Sequence, residues 1–448
     1  MVKKHVGRYS KYLRPITVAA DILLLSFWLS YFLSDYLNDI LFVLLPTALA
    51  WIIIAVYSKY YEVYRYTKLI QIARKLFVQF LLLSLFLFAY MGLFSDRVLN
   101  REIFLTLLCS LLSISIVKYG IFLSLKVFRK RFKGNQRKVI IIGKDNISND
   151  LAALFDNQKE YGYKLLRQFN QTDHYADIEQ YIKEIKPDEI YLSLQDRSSK
   201  QIHDAILFCD NNFINLKYIP SKKEILSNPA KVEYYGYIPI IPEHKTPLEL
   251  YPNKVIKRTF DLVFSLTILI FVMSWLFPIV ALIIKLESKG PVFFKQKRNG
   301  LYFEEFECYK FRSMVVNEDA DILQAQKNDA RITRFGKFLR KTSIDEMPQF
   351  FNVLMGEMSV CGPRPHMLTF TNQYAADIDR YKVRHFVKPG ITGMAQTHGY
   401  RGEIECKRDI VNRIKYDLFY IENWSLLLDL KIIFLTVKNA LIGDKKAY

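Results

Sequence analysis

The segment Arg340–Pro365, RKTSIDEMPQFFNVLMGEMSVCGPRP, concentrates more reactive chemistry than any other stretch of this 448-residue chain. It holds the pair Asp345-Glu346, the cations Arg340 and Lys341, and Arg364 fixed between two prolines. Arg334 and Lys337 lie just upstream. A carboxylate nucleophile among phosphate-binding cations is equipment for phosphoryl transfer. Pro348 places the Asp-Glu pair at a helix start, because proline is tolerated only in a first turn. Ser343-x-x-Glu346 also fits a capping box, in which Glu346 would merely satisfy backbone N–H groups. Spacing alone leaves both uses open.

Two short basic strands are expected nearby, at Val292–Arg298 and Phe306–Met314. The strand period of two puts Lys310 and Arg312 on one face. Lys295 and Lys297 suit a basic surface facing a membrane. Pro389-Gly390-Ile391-Thr392-Gly393 reads as a turn with backbone N–H groups turned toward a ligand. The acidic run Asn317–Asp329 reads as a solvated helix or mobile loop rather than a metal site. Five scattered cysteines without CxxC spacing argue against zinc and against a disulfide framework, and fit a reducing cytoplasm.

The elements that must carry these residues are largely apolar. Hydrophobic residues make up 51% of the chain while 24% is charged, so the two are segregated into blocks. Residues 1–130 contain four apolar runs, Ile16–Phe32, Leu41–Tyr57, Leu76–Phe94 and Ile103–Leu125, each near the roughly 20 residues of a membrane span. The first run is long and lacks a small-residue cleavage site, so no cleavable signal peptide is expected. Lysines and arginines crowd the N-terminal lead, the second connection and the exit of the fourth run. That pattern places both ends of the block in the cytoplasm. Asp21 and Lys118 lie inside spans and are expected to be structural, with Lys118 snorkelling to the interface. The net charge of +19 points to anionic partners. Nucleic acid is not among them, since no recognition-helix, zinc-finger or RNP-type pattern occurs.

Residues 131–252 read as a Rossmann-like α/β domain and linker: a strand at Lys138–Gly143, a helix over Asp150–Phe155 and a strand at Glu189–Leu194. No second or third glycine follows Gly143, so a bound dinucleotide is unsupported and no cofactor site is assigned. Six prolines between Pro220 and Pro252 mark a long irregular connection. Beyond it, Val255–Leu286 is a fifth apolar stretch with basic residues on both sides. Both flanks on one side of the membrane and Pro278 within it suit a re-entrant helix-break-helix; a kinked full span is the alternative. Trp424–Leu441 contains Asp429, Lys431 and Lys438, which suits an amphipathic helix on the membrane or the core.

The motifs KRTFDL at 257–262, GPVFFKQKRNG at 290–300, YKFRSM at 309–314, TRFGKFLRKTSIDEMPQFFNVLMGEMSVCGPRP at 333–365, PGITGMAQ at 389–396 and YIENWSLLLDLKIIFLT at 420–436 occur in this order. Together they resemble the catalytic domain of the bacterial polyprenyl-phosphate hexose-1-phosphate transferases, in particular the large multi-span members. The resemblance implies a membrane α-helical bundle of four spans, a Rossmann-like α/β domain and, over 253–448, an α/β monotopic catalytic domain with a re-entrant helix broken at Pro278. It implies transfer of a hexose-1-phosphate from a UDP-sugar to polyprenyl (undecaprenyl) phosphate at the cytoplasmic face of the bacterial inner membrane. That step opens exopolysaccharide, capsule or O-antigen synthesis. Asp345 would attack the β-phosphorus, UMP would leave, and polyprenyl phosphate would attack the phosphosugar-aspartyl intermediate. Mg²⁺ would be held by Asp345 and Glu346, and Arg312, Arg340, Arg364 and Lys310 would contact phosphates. Homo-oligomer formation stays open, as does the sugar.

Two departures stand out. The family's small members have Ser-Pro at the helix break, where this chain has Phe277-Pro278. The family's PGITGWAQ has Met394 in place of Trp. A membrane-bound sugar-nucleotide dehydratase would need a glycine-rich loop and a helical YxxxK, and past Gly143 only Tyr218 to Lys222 has that spacing, interrupted by Pro220. A lipid-binding scaffold would leave the Asp-Glu pair beside GPRP unexplained. Every catalytic candidate lies after residue 253, so the middle domain is expected to be dispensable for chemistry.

Overall fold

The computed structural model describes residues 10–34, 40–94, 100–170, 173–195, 197–221, 232–242, 246–316, 329–378, 380–400 and 407–442. Most of the acidic run 317–329 therefore lies outside the described residues. The chain forms two compact units, Lys4–Asp196 with Lys217–Ile241, and Arg197–Leu216 with Pro242–Tyr448.

The first unit opens with four apolar helices: α1 (Ser10–Leu33), α2 (Leu41–Tyr57), α3 (Leu69–Phe94) and α4 (Asn100–Arg131). α1, α3 and α4 are long and apolar enough to cross a membrane, and α2 is a shorter apolar helix. Exposed Leu23, Leu45, Leu85 and Ile116 suit a lipid surround. The inner faces carry polar groups that satisfy one another. Tyr61 donates to Asp21 at 2.9 Å and accepts from Trp51 Nε1 at 2.8 Å. Lys118 does not snorkel. It is buried, with Nζ 2.9 Å from the centroid of the Tyr60 ring, because an aromatic face is the nearest substitute for water there.

A six-stranded sheet follows, in the order β2-β1-β3-β4-β6-β5. Its strands are β1 (Arg137–Ile142), β2 (Tyr163–Phe169), β3 (Glu189–Ser193), β4 (Asn215–Ile219), β5 (Glu233–Tyr235) and β6 (Ile238–Pro242). β1 runs parallel to both β2 and β3. Helices α5 (Asn146–Asn157), α6 (Tyr175–Ile185) and α7 (Ser199–Asn212) connect the strands. The proline-rich connection is less irregular than expected. It holds the antiparallel hairpin β5–β6, whose Ile238 and Ile240 are buried on alternate positions around Pro239. Glu189 is fully buried at the start of β3, pairing with Arg137 and, at 2.7 Å, with Lys217. Burial alone would raise its pKa, but Lys217 and Arg137 hold it down at about 2.

In the second unit, helix Tyr251–Ile268 passes through a π turn, Leu269–Met273, into helix Ser274–Glu287. The expected break at Pro278 is not seen: Pro278 lies inside the second helix, and the helical run continues over Tyr251–Glu287. The irregular turn just before it follows from the missing N–H of proline. Phe277 offers no side-chain oxygen, yet carbonyls of this turn are satisfied. Ser274 Oγ donates to the Ile270 carbonyl at 2.6 Å and Trp275 Nε1 to that of Phe271 at 2.9 Å. Strands β7 (Phe293–Asn299) and β8 (Glu305–Phe311) form an antiparallel hairpin. β9 (Ser359–Cys361) and β10 (Gly390–Thr392) pair in parallel. Helix Leu426–Ile442 buries Ile432 and exposes Leu427 and Phe434. Its Asp429 is fully buried and accepts from Lys257 at 2.8 Å, knitting the last helix to the entry of Tyr251–Ile268.

Candidate active site

Helix Arg334–Thr342 ends at Ser343, which takes a left-handed φ of 60°. The chain then makes a single 3-10 turn, Ile344–Glu346, before Pro348 starts helix Gln349–Met355. The turn buries both Asp345 and Glu346. The capping-box alternative fails, because the Ser343 side chain makes no cap and the Glu346 carboxylate faces elsewhere. Its Oε1 receives Lys310 Nζ at 2.8 Å and Arg364 Nη2 at 2.6 Å, and its Oε2 receives Arg364 Nη1 at 3.3 Å. A buried carboxylate with two charge-assisted partners is the kind that persists as an ion.

Helix Gln349–Met355 is fastened so that this turn stays in place. Asn352 Nδ2 donates to the Glu307 carbonyl at 2.6 Å, and Asn352 Oδ1 accepts from Tyr309 N–H at 3.0 Å, which fixes the helix to β8. Arg258 donates to the Val353 and Leu354 carbonyls at the helix C-terminus.

The expected N–H-lined turn at PGITG is instead part of the scaffold for GPRP. Gly390 N–H donates to the Pro363 carbonyl at 3.0 Å and Gly362 N–H to that of Thr392 at 2.9 Å. Two backbones approach so closely that a Cβ on Gly390 would lie 2.1 Å from Gly362 N. Only glycine allows that approach.

The expected phosphate ligands separate into three groups. Lys310 and Arg364 meet at Glu346, beside Asp345. Arg312 is buried and used differently: it donates to the carbonyls of Ser288 at 2.7 Å and Lys289 at 2.9 Å, capping the helix that ends at Glu287. Arg340 lies in the last turn before Ser343, and its Nη1 is shielded without a hydrogen bond among the described residues.

Two arginines escaped the sequence reading. Arg298 Nη1 donates to the Pro365 carbonyl at 2.9 Å. Arg384 Nη2 donates to the Arg364 carbonyl at 2.8 Å and to Asp417 at 2.8 Å, while its Nη1 donates to His366 Nδ1 at 2.8 Å. Burial, then Arg384 and Arg413, holds the His366 imidazole well below its usual pKa, so it stays neutral and accepts. Arg298 was visible only as one of several cations in a basic strand. No local pattern flags Arg384, which works through partners far away in the chain.

Residues 252–443 match the bacterial sugar transferase family, and residues 57–220 match a CoA-binding domain family. The chain is 37% identical over 371 residues to a UDP-glucose:undecaprenyl-phosphate glucose-1-phosphate transferase of Klebsiella pneumoniae, covering 80% of this chain and 79% of that protein. It is 35% identical over 325 residues to the protein of the same name from Escherichia coli K12, covering 70% and 69%. It is 41% identical over 241 residues to a UDP-N-acetylgalactosamine-undecaprenyl-phosphate N-acetylgalactosaminephosphotransferase of Aeromonas hydrophila, covering 52% and 54%. The chain belongs to the bacterial sugar transferases.

This transferase is a membrane protein, and the dehydratase and scaffold readings fall away. The second family match implies CoA, whose diphosphate would be expected at the helix N-terminus after β1. The residues there do not fit it. Asp145 already caps α5, its Oδ1 accepting Ser148 N–H at 3.0 Å and its Oδ2 the Ser148 hydroxyl at 2.6 Å. A Cβ on Gly143 would lie 2.6 Å from Ser193 Cβ. A carboxylate at that position repels phosphate, so no step is assigned to CoA.

Proposed function

We propose that this transferase moves a hexose-1-phosphate from a UDP-sugar to a polyprenyl phosphate, releasing UMP and forming a polyprenyl-diphosphate-sugar. An Asp345 oxygen bonds to the β-phosphorus while the bond from that phosphorus to the UMP oxygen breaks. A polyprenyl phosphate oxygen then attacks the same phosphorus, and Asp345 departs as a carboxylate. The observation that carries this reading is the pairing of Glu346 with Lys310 and Arg364. Two adjacent carboxylates would otherwise resist ionising together. With the charge of Glu346 offset, Asp345 remains a nucleophile, and the same cations stand ready for the phosphates. Arg340, with an unengaged nitrogen, is a further phosphate contact.

Mg²⁺ takes one or two carboxylates together with substrate phosphate oxygens and water. Asp345 offers one such carboxylate. Both Glu346 oxygens already receive Lys310 and Arg364, which would have to give way for Glu346 to join it. No group of three metal-ligating residues occurs among the described residues. When bound, the ion would offset charge on the transferring phosphate.

The reaction faces the cytoplasm of a bacterial inner membrane and serves exopolysaccharide, capsule or O-antigen synthesis. The domain limits are 1–130, 131–252 and 253–448, except that Arg197–Leu216 and 242–252 pack with the last. The 254–289 segment, helical over Tyr251–Glu287, enters and leaves on one membrane face. Membranes carrying the protein are to be mixed with polyprenyl phosphate and a panel of UDP-sugars, with UDP-glucose first. UMP release with one member supports the reading; no UMP from any member contradicts it. Cysteine labelling at positions 254 and 289 tests this topology. Position 290 is unsuitable, because a Cβ there would strike Arg312. Both sites reacting only from the cytoplasmic side is the expected result, and labelling of 289 from outside would require a full span.

A further inference from the structure

Helix α7 precedes β4 in the chain but groups with the catalytic unit. It ends at Phe213, whose φ of 55° is a left-handed conformation that bulky residues seldom adopt. The Phe213 ring lies 5.3 Å from Phe303, 5.4 Å from Phe386 and 6.4 Å from Tyr302. Tyr302 and Phe303 are themselves left-handed, at 51° and 62°. Backbone strain of this kind persists only where the surrounding packing over-determines it. Two polar contacts hold the helix end against the same turn: Asp210 pairs with Arg380 at 3.3 Å, and the Asn211 carbonyl accepts from Lys382 at 2.9 Å.

Each neighbour of Phe213 belongs to an element that holds the site. Tyr302 and Phe303 form the tip of the β7–β8 hairpin. β7 brings Arg298 to the Pro365 carbonyl, and β8 brings Lys310 to Glu346. Phe386 ends the turn Tyr381–Phe386, which brings Arg384 to the Arg364 carbonyl. The two elements also meet directly, with the Phe303 ring tilted against His385 at 4.3 Å. The hairpin and the turn therefore grip the GPRP loop from separate parts of the chain, and Phe213 sits where they come together.

We propose that Phe213 is a positioning residue for the transfer reaction. It wedges the hairpin tip against the 381–386 turn and so fixes the loop that aims Arg364 at Glu346. This rests on the reading of the Glu346 cluster as the transfer site. It also revises the expectation that residues before 252 are dispensable, since a fragment beginning at Pro252 keeps every reactive group and loses the wedge.

The test uses the full-length protein in lipid nanodiscs, comparing Phe213→Ala, Phe213→Tyr and Asp210→Ala with the wild type. Backbone amide exchange over residues 362–367 is read first, because it does not depend on the reaction. We expect exchange about tenfold faster in Phe213→Ala, restored in Phe213→Tyr, and raised about threefold in Asp210→Ala. The kcat for UMP release should fall about tenfold in Phe213→Ala, with KM changing less. In an Arg384→Lys background, Phe213→Ala should add little further loss, because both act through one loop. Unchanged exchange at 362–367 in both folded Phe213→Ala and folded Asp210→Ala overturns the proposal. If Phe213→Ala does not fold, Asp210→Ala decides alone. Exchange that responds in a protein releasing no UMP supports the wedge and overturns the transfer reading instead.

Discussion

Two buried glutamates in this chain each follow an aspartate and sit between a lysine and an arginine, and they differ in how that aspartate is used. Glu189, at the start of β3, pairs with Arg137 and Lys217 and accepts from Tyr191 at 2.7 Å. Glu346 pairs with Lys310 and Arg364. Glu189 is wholly sealed among the buried rings of Tyr163, Tyr191 and Tyr235, and the Asp188 that precedes it accepts the Lys138 backbone N–H at 2.7 Å. Glu346 follows Asp345, which lies buried in the 3-10 turn, and its cations have side-chain exposures of 21% and 23%, against 14% for Lys217 and 35% for Arg137. The same Asp-Glu and ion-pair pattern is a structural bolt in the sheet, where Asp188 serves the backbone and tyrosines close over Glu189. It forms the candidate transfer site where Asp345 lies buried beside Glu346 and its two cations.

The sharpest contrast comes from removing one carboxylate at each place. Asp345→Asn should lower UMP release by more than about 10³-fold while the protein still inserts and folds, since the nucleophile is gone. Retention of a tenth of wild-type release would remove Asp345 from that role. Arg364→Lys and Lys310→Met should each cost about 10- to 100-fold in kcat, because the transferring charge loses one preorganised partner. If they change only KM, these cations bind substrate without stabilising the transition state. Glu189→Gln should leave turnover per folded molecule within about twofold and destabilise its unit by about 1–3 kcal/mol, because Lys217 and the partly exposed Arg137 lose their charged partner. Denaturant melts normalised to activity separate the two outcomes. Large loss of turnover without loss of stability would make Glu189 part of the chemistry.

The smallest effect is on pH. Burial and Arg384 hold His385 down at about 3, and His366 is also held well below its usual pKa. Both bind protons more readily when unfolded, at about 6.5. Their contribution to stability is complete above that pH and is lost as pH falls toward 3. Melting of the second unit should therefore soften progressively below about pH 6.5. A flat melting temperature from pH 7 to pH 4 would mean that these imidazoles are not held neutral.

The parts legible in the sequence were those with local signatures. Apolar length marked α1 to α4, a buried run marked β1, and Pro348 marked the start of the helix behind the Asp-Glu pair. Lys310, Glu346 and Arg364 were each named as site residues, two for phosphate and one for the metal, but that Glu346 pairs with both cations appears only in the structure. Arg312 shared the strand period with Lys310, yet the carbonyls at a helix end captured it, a competition that no spacing rule expresses. Arg384 and Phe213 were invisible for a related reason. Their partners come from distant segments, and neither sits in a motif. PGITG was misread as a ligand turn because close packing of two backbones and binding of an anion both call for glycine. The hairpin β5–β6 was hidden by its prolines, which weigh against a strand unless their neighbours alternate in burial.

The most direct test is to mix wild-type protein with the UDP-sugar it accepts, in the absence of polyprenyl phosphate, and to analyse the peptide containing Ser343–Met347 by mass spectrometry. The expected result is one equivalent of UMP released in a burst and a hexose-phosphate adduct on Asp345. The adduct should be lost on adding polyprenyl phosphate and absent from Asp345→Asn. UMP that appears only when polyprenyl phosphate is present, with no adduct trapped at Asp345, would contradict covalent transfer and make the acceptor itself the first nucleophile.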